Sequence, residues 1–275
     1  MMCAWKELLA ILPLRLRADV DKQGRESLQE LRLRINAPPE LVLAGKISWL
    51  SGNVTQDELN FVVNTASRYS PWAASTAAQG FLTAPGGHRI GICGEAVCKN
   101  GNITGMRHIS YLCIRVARDF PDLLKSVQRP DGSVLILGAP GWGKTTLLRC
   151  LIRQIAQEEA VSVVDERGEL FPQGFVRGRR VDILTGCPKP AGIEMMLRTM
   201  GPTCIAVDEI TAAADCQALI QAANCGVRLL ATAHAGSSRD YCQRGVYREL
   251  VHQKIFDTLI VLHKDKSYHM ERMTL

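Results

Sequence analysis

From Ser133 onward, short β-branched runs alternate with amphipathic stretches, and few folds accept that order. The predicted strands are VLILG (134–138), VSVVD (161–165), CIAVD (204–208), VRLLAT (227–232) and TLIVL (258–262). The segments between them, roughly 144–157, 191–200, 213–225 and 239–253, read as helices. Nearly continuous apolar strands separated by helices call for a mainly parallel sheet covered on both faces. No internal repeat is found, which sets solenoid architectures aside.

Residues 1–128 read as a separate mixed α/β domain, with the turn Arg129-Pro130-Asp131-Gly132 between it and a second domain at 133–275. The stretch Met1 to Arg17 reads as a short helix broken at Pro13; Glu7 interrupts its apolar run and no basic segment precedes it, unlike a signal peptide. Leu31, Leu33 and Ile35 alternate with Arg32 and Arg34, as in a strand. Thr55 and Glu58 form a capping box opening a helix to about Tyr69, and a second short helix is expected from near Ser70 to Gly80. HRIGICGEAVC, the turn Lys99-Asn100-Gly101-Asn102 and the following strand predict a hairpin. YLCIRVA (111–117) reads as a further strand with Leu112, Ile114 and Val116 on one face and Arg115 on the other, and Asp119 to Gln128 as a helix.

Composition narrows the function classes. The 275 residues are 47% apolar and 22% charged, which excludes a disordered chain. The net charge of +6 is spread thinly, with 14 basic and 10 acidic residues in 1–120 and 19 and 17 in 121–275. Neither half has the basic, aromatic-interleaved stretch of a nucleic-acid surface, which argues against nucleic acid as a partner. No apolar run reaches the length of a membrane-spanning helix. The ten cysteines form no C-x-x-C pair, and several lie in apolar runs, as Cys113 and Cys204 do. They read as small buried thiols of a reducing cytoplasm rather than zinc ligands.

Chemistry concentrates in the second half. Gly138-Ala139-Pro140-Gly141-Trp142-Gly143-Lys144-Thr145 matches G-x-x-x-x-G-K-[ST], follows an apolar strand and opens a helix beginning Lys144-Thr145-Thr146. Such a loop closes its backbone N–H groups around ATP or GTP phosphates. Lys144 would reach the β- and γ-phosphates, and Thr145 would offer a hydroxyl to Mg²⁺. Cys204-Ile-Ala-Val-Asp208-Glu209 delivers two carboxylates at the C-terminal end of a strand, where open α/β sheets bind ligands. Asp208 would hold Mg²⁺ through water and Glu209 would act as general base. Three weaker features each carry a plain structural alternative. Thr232-Ala233-His234 ends a neighbouring strand, where His234 would sense phosphate or orient water, or serve the core. Asp165-Glu166-Arg167 would face water near the site or a neighbouring subunit, or be a solvated cluster. Arg177-Gly178-Arg179-Arg180 would meet an anion, or be a solvated loop.

The blocks HRIGICGEAV, YLCIRVAR, GAPGWGKTTLLR, VVDERGEL, DILTGCPKPAGIEMMLRTMGP, AVDEI and ATAH together resemble the stage III sporulation protein AA family of endospore-forming bacteria. That family lies within the wider group of type II/IV secretion ATPases. The resemblance, over roughly residues 25–265, implies an N-terminal α/β domain and a C-terminal RecA-like P-loop ATPase domain. It also implies an ATP- and Mg²⁺-dependent hydrolase that forms hexameric rings, with nucleotide between subunits. The expected place is the mother-cell cytoplasm, peripheral to the membrane through the membrane-embedded proteins of the stage III channel complex. The family further implies N-terminal arginines at the nucleotide; Arg89 and Arg115, with Arg107 and Arg118, are the candidates here. Trp142 is a bulky residue at a free position of the loop. A RecA-like ATPase acting on DNA is the alternative that shares this core.

Overall fold

A computed structural model describes residues 4–67, 80–120, 127–172 and 174–273. The chain divides into two compact units, Met1–Asp119 with Gln173–Phe175, and Phe120–Pro172 with Val176–Leu275.

The first unit holds a six-stranded antiparallel sheet in the order β3-β2-β1-β6-β5-β4. Its strands are β1 (Leu28–Arg34), β2 (Glu40–Leu43), β3 (Lys46–Trp49), β4 (Phe81–Thr83), β5 (Arg89–Lys99) and β6 (Asn102–Arg115). Helices α1 (Trp5–Ala10), α2 (Leu14–Gly24) and α3 (Gln56–Ala66) share one core with it. Leu31, Leu33, Ile90, Leu112 and Ile114 meet Leu8, Leu16, Val20, Leu59 and Val62 there. The capping box forms as expected: Glu58 N donates to Thr55 Oγ1, and Thr55 N donates to Glu58 Oε2. The first helix breaks at Pro13, and its successor runs on past Arg17 to Gly24.

The hairpin forms with Asn100 and Gly101 both at positive φ, 52° and 78°, the geometry a two-residue turn needs. YLCIRVA is not a further strand, however. Its first five residues, 111–115, are the end of β6, which runs unbroken from Asn102 because a bulge beside Gly94 absorbs the irregularity, and Val116 and Ala117 lie beyond it. A Cβ on Gly94 would lie 2.7 Å from His108 O, so the bulge requires glycine. The β2–β3 hairpin had no reading in the sequence. The short helices expected from near Ser70 to Gly80 and over Asp119–Gln128 lie outside the described residues, save at their ends.

The second unit is a seven-stranded sheet in the order β13-β12-β7-β11-β10-β8-β9, parallel except for β13. All five predicted strands form, as β7 (Val134–Leu137), β8 (Val161–Asp165), β10 (Cys204–Ile210), β11 (Arg228–Ala233) and β12 (Thr258–Leu262). The unread ones, β9 (Val181–Thr185) and β13 (Tyr268–Arg272), are the two edges. An edge strand is less covered, so its sequence is more polar and lacks an unbroken apolar run.

The sheet carries helices α4 (Lys144–Ile155), α5 (Lys189–Thr199), α6 (Ala213–Asn224), α7 (Ser238–Gln243) and α8 (Arg248–His252). Alternate residues of one strand enter different cores. Val134 and Ile136 join the cluster holding Leu148 and Ile152 of α4, and Leu135 and Leu137 join that holding Ile193 and Leu219. That is the two-sided cover expected of a buried parallel sheet. The single helix expected over 239–253 is instead two short helices joined by a 3₁₀ turn at Gly245–Tyr247, since Arg244 is extended at ψ 122°. The cysteine expectation needs a similar correction. Cys150, Cys204 and Cys216 are buried, but Cys93, Cys98, Cys225 and Cys242 are exposed. Cys98 sits near the tip of the β5–β6 ribbon, and Cys225 caps the end of α6.

Candidate functional site

The phosphate-type loop joins β7 to α4. Gly141 and Gly143 take φ of 75° and 105°, which only glycine adopts without strain, and Gly143 caps the helix that Lys144 begins. Lys144 is only 7% exposed, and its Nζ donates to Gly138 O at 2.9 Å and Ala139 O at 3.1 Å. Burial holds its pKa below the usual lysine value, while Asp208 and Glu209 oppose the shift. Trp142 is half-buried and rests on the core cluster beneath α4, and Lys266 of the β12–β13 turn donates to Gly141 O. Thr146 follows Thr145 in the first turn of α4.

The end of β10 reaches this loop. Thr145 Oγ1 donates to Asp208 Oδ2 at 2.9 Å, and the buried Thr232 Oγ1 donates to Asp208 Oδ1 at 2.6 Å. In a regular strand Asp208 and Glu209 would point to opposite faces. The pairing of β10 with β11 instead slips between Val207 and Ile210, and Glu209 adopts φ 48°. This left-handed residue in a bulge turns both carboxylates toward one rim, with Glu209 N donating to Thr232 Oγ1 at 2.9 Å.

His234 stands between the two charges. Its Nδ1 lies 3.0 Å from Lys144 Nζ and its Nε2 lies 3.0 Å from Glu209 Oε1. With Lys144 protonated, Nδ1 accepts from the ammonium and the ring proton sits on Nε2, facing the carboxylate. Arg167 Nη1 approaches Glu209 Oε2 at 3.5 Å.

A small polar cavity adjoins these groups, lined by Asp165, Glu166, Arg167, Glu169, Lys189, Asp208 and Glu209. Asp165 is buried and shapes the turn beside it, accepting from Glu169 N at 3.0 Å and Leu170 N at 2.8 Å. Burial pushes its carboxyl pKa up, against the pull of those N–H groups. Glu166 meets Lys189 Nζ at 2.5 Å across the cavity. The loop, Thr145, Asp208, Glu209, His234 and Glu166 thus come together in the second unit. The basic loop at 177–180 does not line this cavity.

The four arginines lie in the first unit. Arg89 stacks its guanidinium 4.5 Å from the centre of the Phe81 ring, and Arg115 lies 3.4 Å from Glu30 Oε1. Arg107 faces Glu95 across the β5–β6 ribbon. Arg118 donates to the carbonyls of Leu28 and Arg25. Sequence reasoning missed Lys189, Asp215 and Lys266. Lys189 had one available signal, its place inside the block GCPKPAGIEMMLRTM, whose composition is otherwise ordinary.

The family model described as "Sporulation stage III, protein AA" matches residues 4–271. Stage III sporulation protein AA of Bacillus subtilis (strain 168) is 33% identical over 283 residues, covering 95% of this chain and 92% of that protein. The crystal structure of the pilus retraction motor PilT with bound ADP aligns with a TM-score of 0.68 at 15% identity, covering 95% of this chain and 83% of that one. The Legionella pneumophila ATPase DotB aligns with a TM-score of 0.62, also at 15% identity, covering 95% and 80%. Identities that low speak for fold, and they establish the second unit as RecA-like.

Proposed function

The chain belongs to the sporulation stage III, protein AA family, and on that premise we propose that it is an ATP-hydrolysing motor of sporulation. The observation that carries this reading is the 2.9 Å bond from Thr145 to Asp208, which joins the phosphate-type loop to the carboxylate strand beside Lys144. Lys144 binds the β- and γ-phosphates, and the N–H groups of the loop close around them. Thr145 and Asp208 present hard oxygen donors side by side, a set that suits Mg²⁺. Bound there, the ion would neutralise charge on the phosphate oxygens.

Glu209 takes the proton of the attacking water, and His234 Nε2 holds that carboxylate in place. Glu166 adds its carboxylate to the same cavity. An arginine among Arg89, Arg107, Arg115 and Arg118 of a neighbouring subunit would complete the site in a hexamer, offsetting the charge of the transferring phosphoryl group. The work done is assembly of, or transport through, the membrane-embedded channel complex between mother cell and forespore, from its cytoplasmic side.

Two variants test the hydrolase. Lys144→Ala loses ATP binding, whereas Glu209→Gln binds ATP and does not turn it over, read by nucleotide titration and phosphate release. A Glu209→Gln protein hydrolysing ATP at the wild-type rate would remove Glu209 from its role.

A further inference from the structure

Lys189 begins helix α5 and is almost withdrawn from water, with its side chain 7% exposed. A buried ammonium is tolerated only where carboxylates meet it. Its Nζ is 2.5 Å from Glu166 Oε2 and 4.0 Å from Asp215 Oδ2. Asp215 is already engaged, since Oδ2 accepts from Thr211 N at 2.9 Å and Ala212 N at 3.1 Å. Those two residues follow Glu209 and Ile210 directly. Lys189 therefore joins the turn carrying Glu166 to the loop leaving Glu209.

The sequence around Lys189 is built for this reach. A Cβ on Gly192, one turn into α5, would stand 2.5 Å from Val164 Cγ1 of β8 and 2.9 Å from Cys187 Sγ. Glycine lets the helix settle onto the strand whose next residues are Asp165 and Glu166. Glu166 itself needs a reason to face inward. The cavity already holds Asp165, Glu169, Asp208 and Glu209, and like charges would turn a fifth carboxylate out to solvent. At 39% side-chain exposure Glu166 has that freedom.

We propose that Lys189 is a positioning residue that holds Glu166 over the cavity beside Glu209, so that the Glu166 carboxylate reaches the hydrolytic water. This rests on the ATPase reading of the same site. In this role Lys189 acts through Glu166, the carboxylate its Nζ meets at 2.5 Å.

The test is a double-mutant cycle on the full chain, with ATP hydrolysis followed under single turnover so that slow forms stay measurable. Lys189→Met lowers the hydrolysis rate about tenfold or more and leaves ATP affinity unchanged. In a Glu166→Gln background the same substitution has no further effect, because the carboxylate it positions is already gone. That second comparison also stands if Lys189→Met alone fails to fold, since neutralising Glu166 removes the stranded charge. A wild-type rate in Lys189→Met overturns the proposal, and so does an equal additional loss in the Glu166→Gln background. A wild-type protein that binds ATP and never turns it over instead removes the hydrolase reading, and this proposal with it.

Discussion

At the scale of single residues, Thr232 has more to do than its sequence suggests. Its hydroxyl accepts from Glu209 N and donates to Asp208 Oδ1, so one buried side chain sets both carboxylates. Thr232→Val keeps the shape and removes both bonds. We expect the hydrolysis rate to fall about ten- to a hundredfold through displaced carboxylates, with Thr232→Ser retaining most of it. A Thr232→Val enzyme as fast as Thr232→Ser would show that the hydroxyl does not set the site.

His88 offers a separate test in the first unit. It is fully buried, accepting from Ala117 N on Nδ1 and facing Ala4 O with Nε2 at 2.9 Å, which makes it neutral. Burial lowers its pKa from the ordinary 6.5, with Arg118 adding to the shift and Ala4 O and Glu7 opposing it. The unfolded chain therefore binds the extra proton first as pH falls. The stability from this group is whole above about 6.5 and is lost below it, down to the lowered folded value. Urea unfolding from pH 7.5 to 5 should show that loss in wild type and less of it in His88→Gln. Equal slopes would overturn the assignment. None of this is readable at positions 88 or 232 alone, because a histidine or threonine declares its partners only when distant strands meet.

At the scale of elements, apolar runs were readable where strands are buried on both faces and unreadable where they are not. VLIL and TLIVL announce β7 and β12, while VDILT and YHMER, the edges, carry mixed patterns. The Asn100-Gly101 turn was likewise readable because its φ demand is local. The bulge at Glu209 was not, because it arises from the pairing of β10 with β11.

Gly192 belongs to this scale. Placing alanine there gains about 1 kcal/mol of helix propensity, but the 2.5 Å approach to Val164 forces α5 away at a cost of about 1–3 kcal/mol. We expect Gly192→Ala to be net destabilised in denaturant unfolding and slower in hydrolysis. A more stable variant would mean that the helix does not need that close seat.

At the scale of the whole molecule, each unit has its own core, so ligand and proton linkages should be separable. ATP at a hundred times its Kd should stabilise the second unit by about 2.7 kcal/mol. Lys144→Ala should lose that gain while keeping the pH dependence that belongs to His88. Melting with and without ATP would check this, and an equal ATP effect in Lys144→Ala would place the nucleotide elsewhere. No helix among the described residues is long and apolar enough to cross a membrane. The proposed membrane work therefore predicts that Glu209→Gln, held with ATP, captures membrane-embedded channel proteins from sporulating cells. Strong, salt-sensitive stimulation of hydrolysis by single-stranded DNA would favour the DNA-acting alternative instead.

The alternation of the five buried strands of the second unit with helices, the phosphate-type loop and the position of the acidic strand end follow from the amino-acid sequence, because each rests on local periodicity or contiguous residues. The edge strands, the bulge that turns Asp208 and Glu209 to one rim, the His234 contacts and the burial of Lys189 between Glu166 and Asp215 came only with the tertiary structure. Those depend on which distant residues share a strand register or a helix seat, and no spacing along the chain records that.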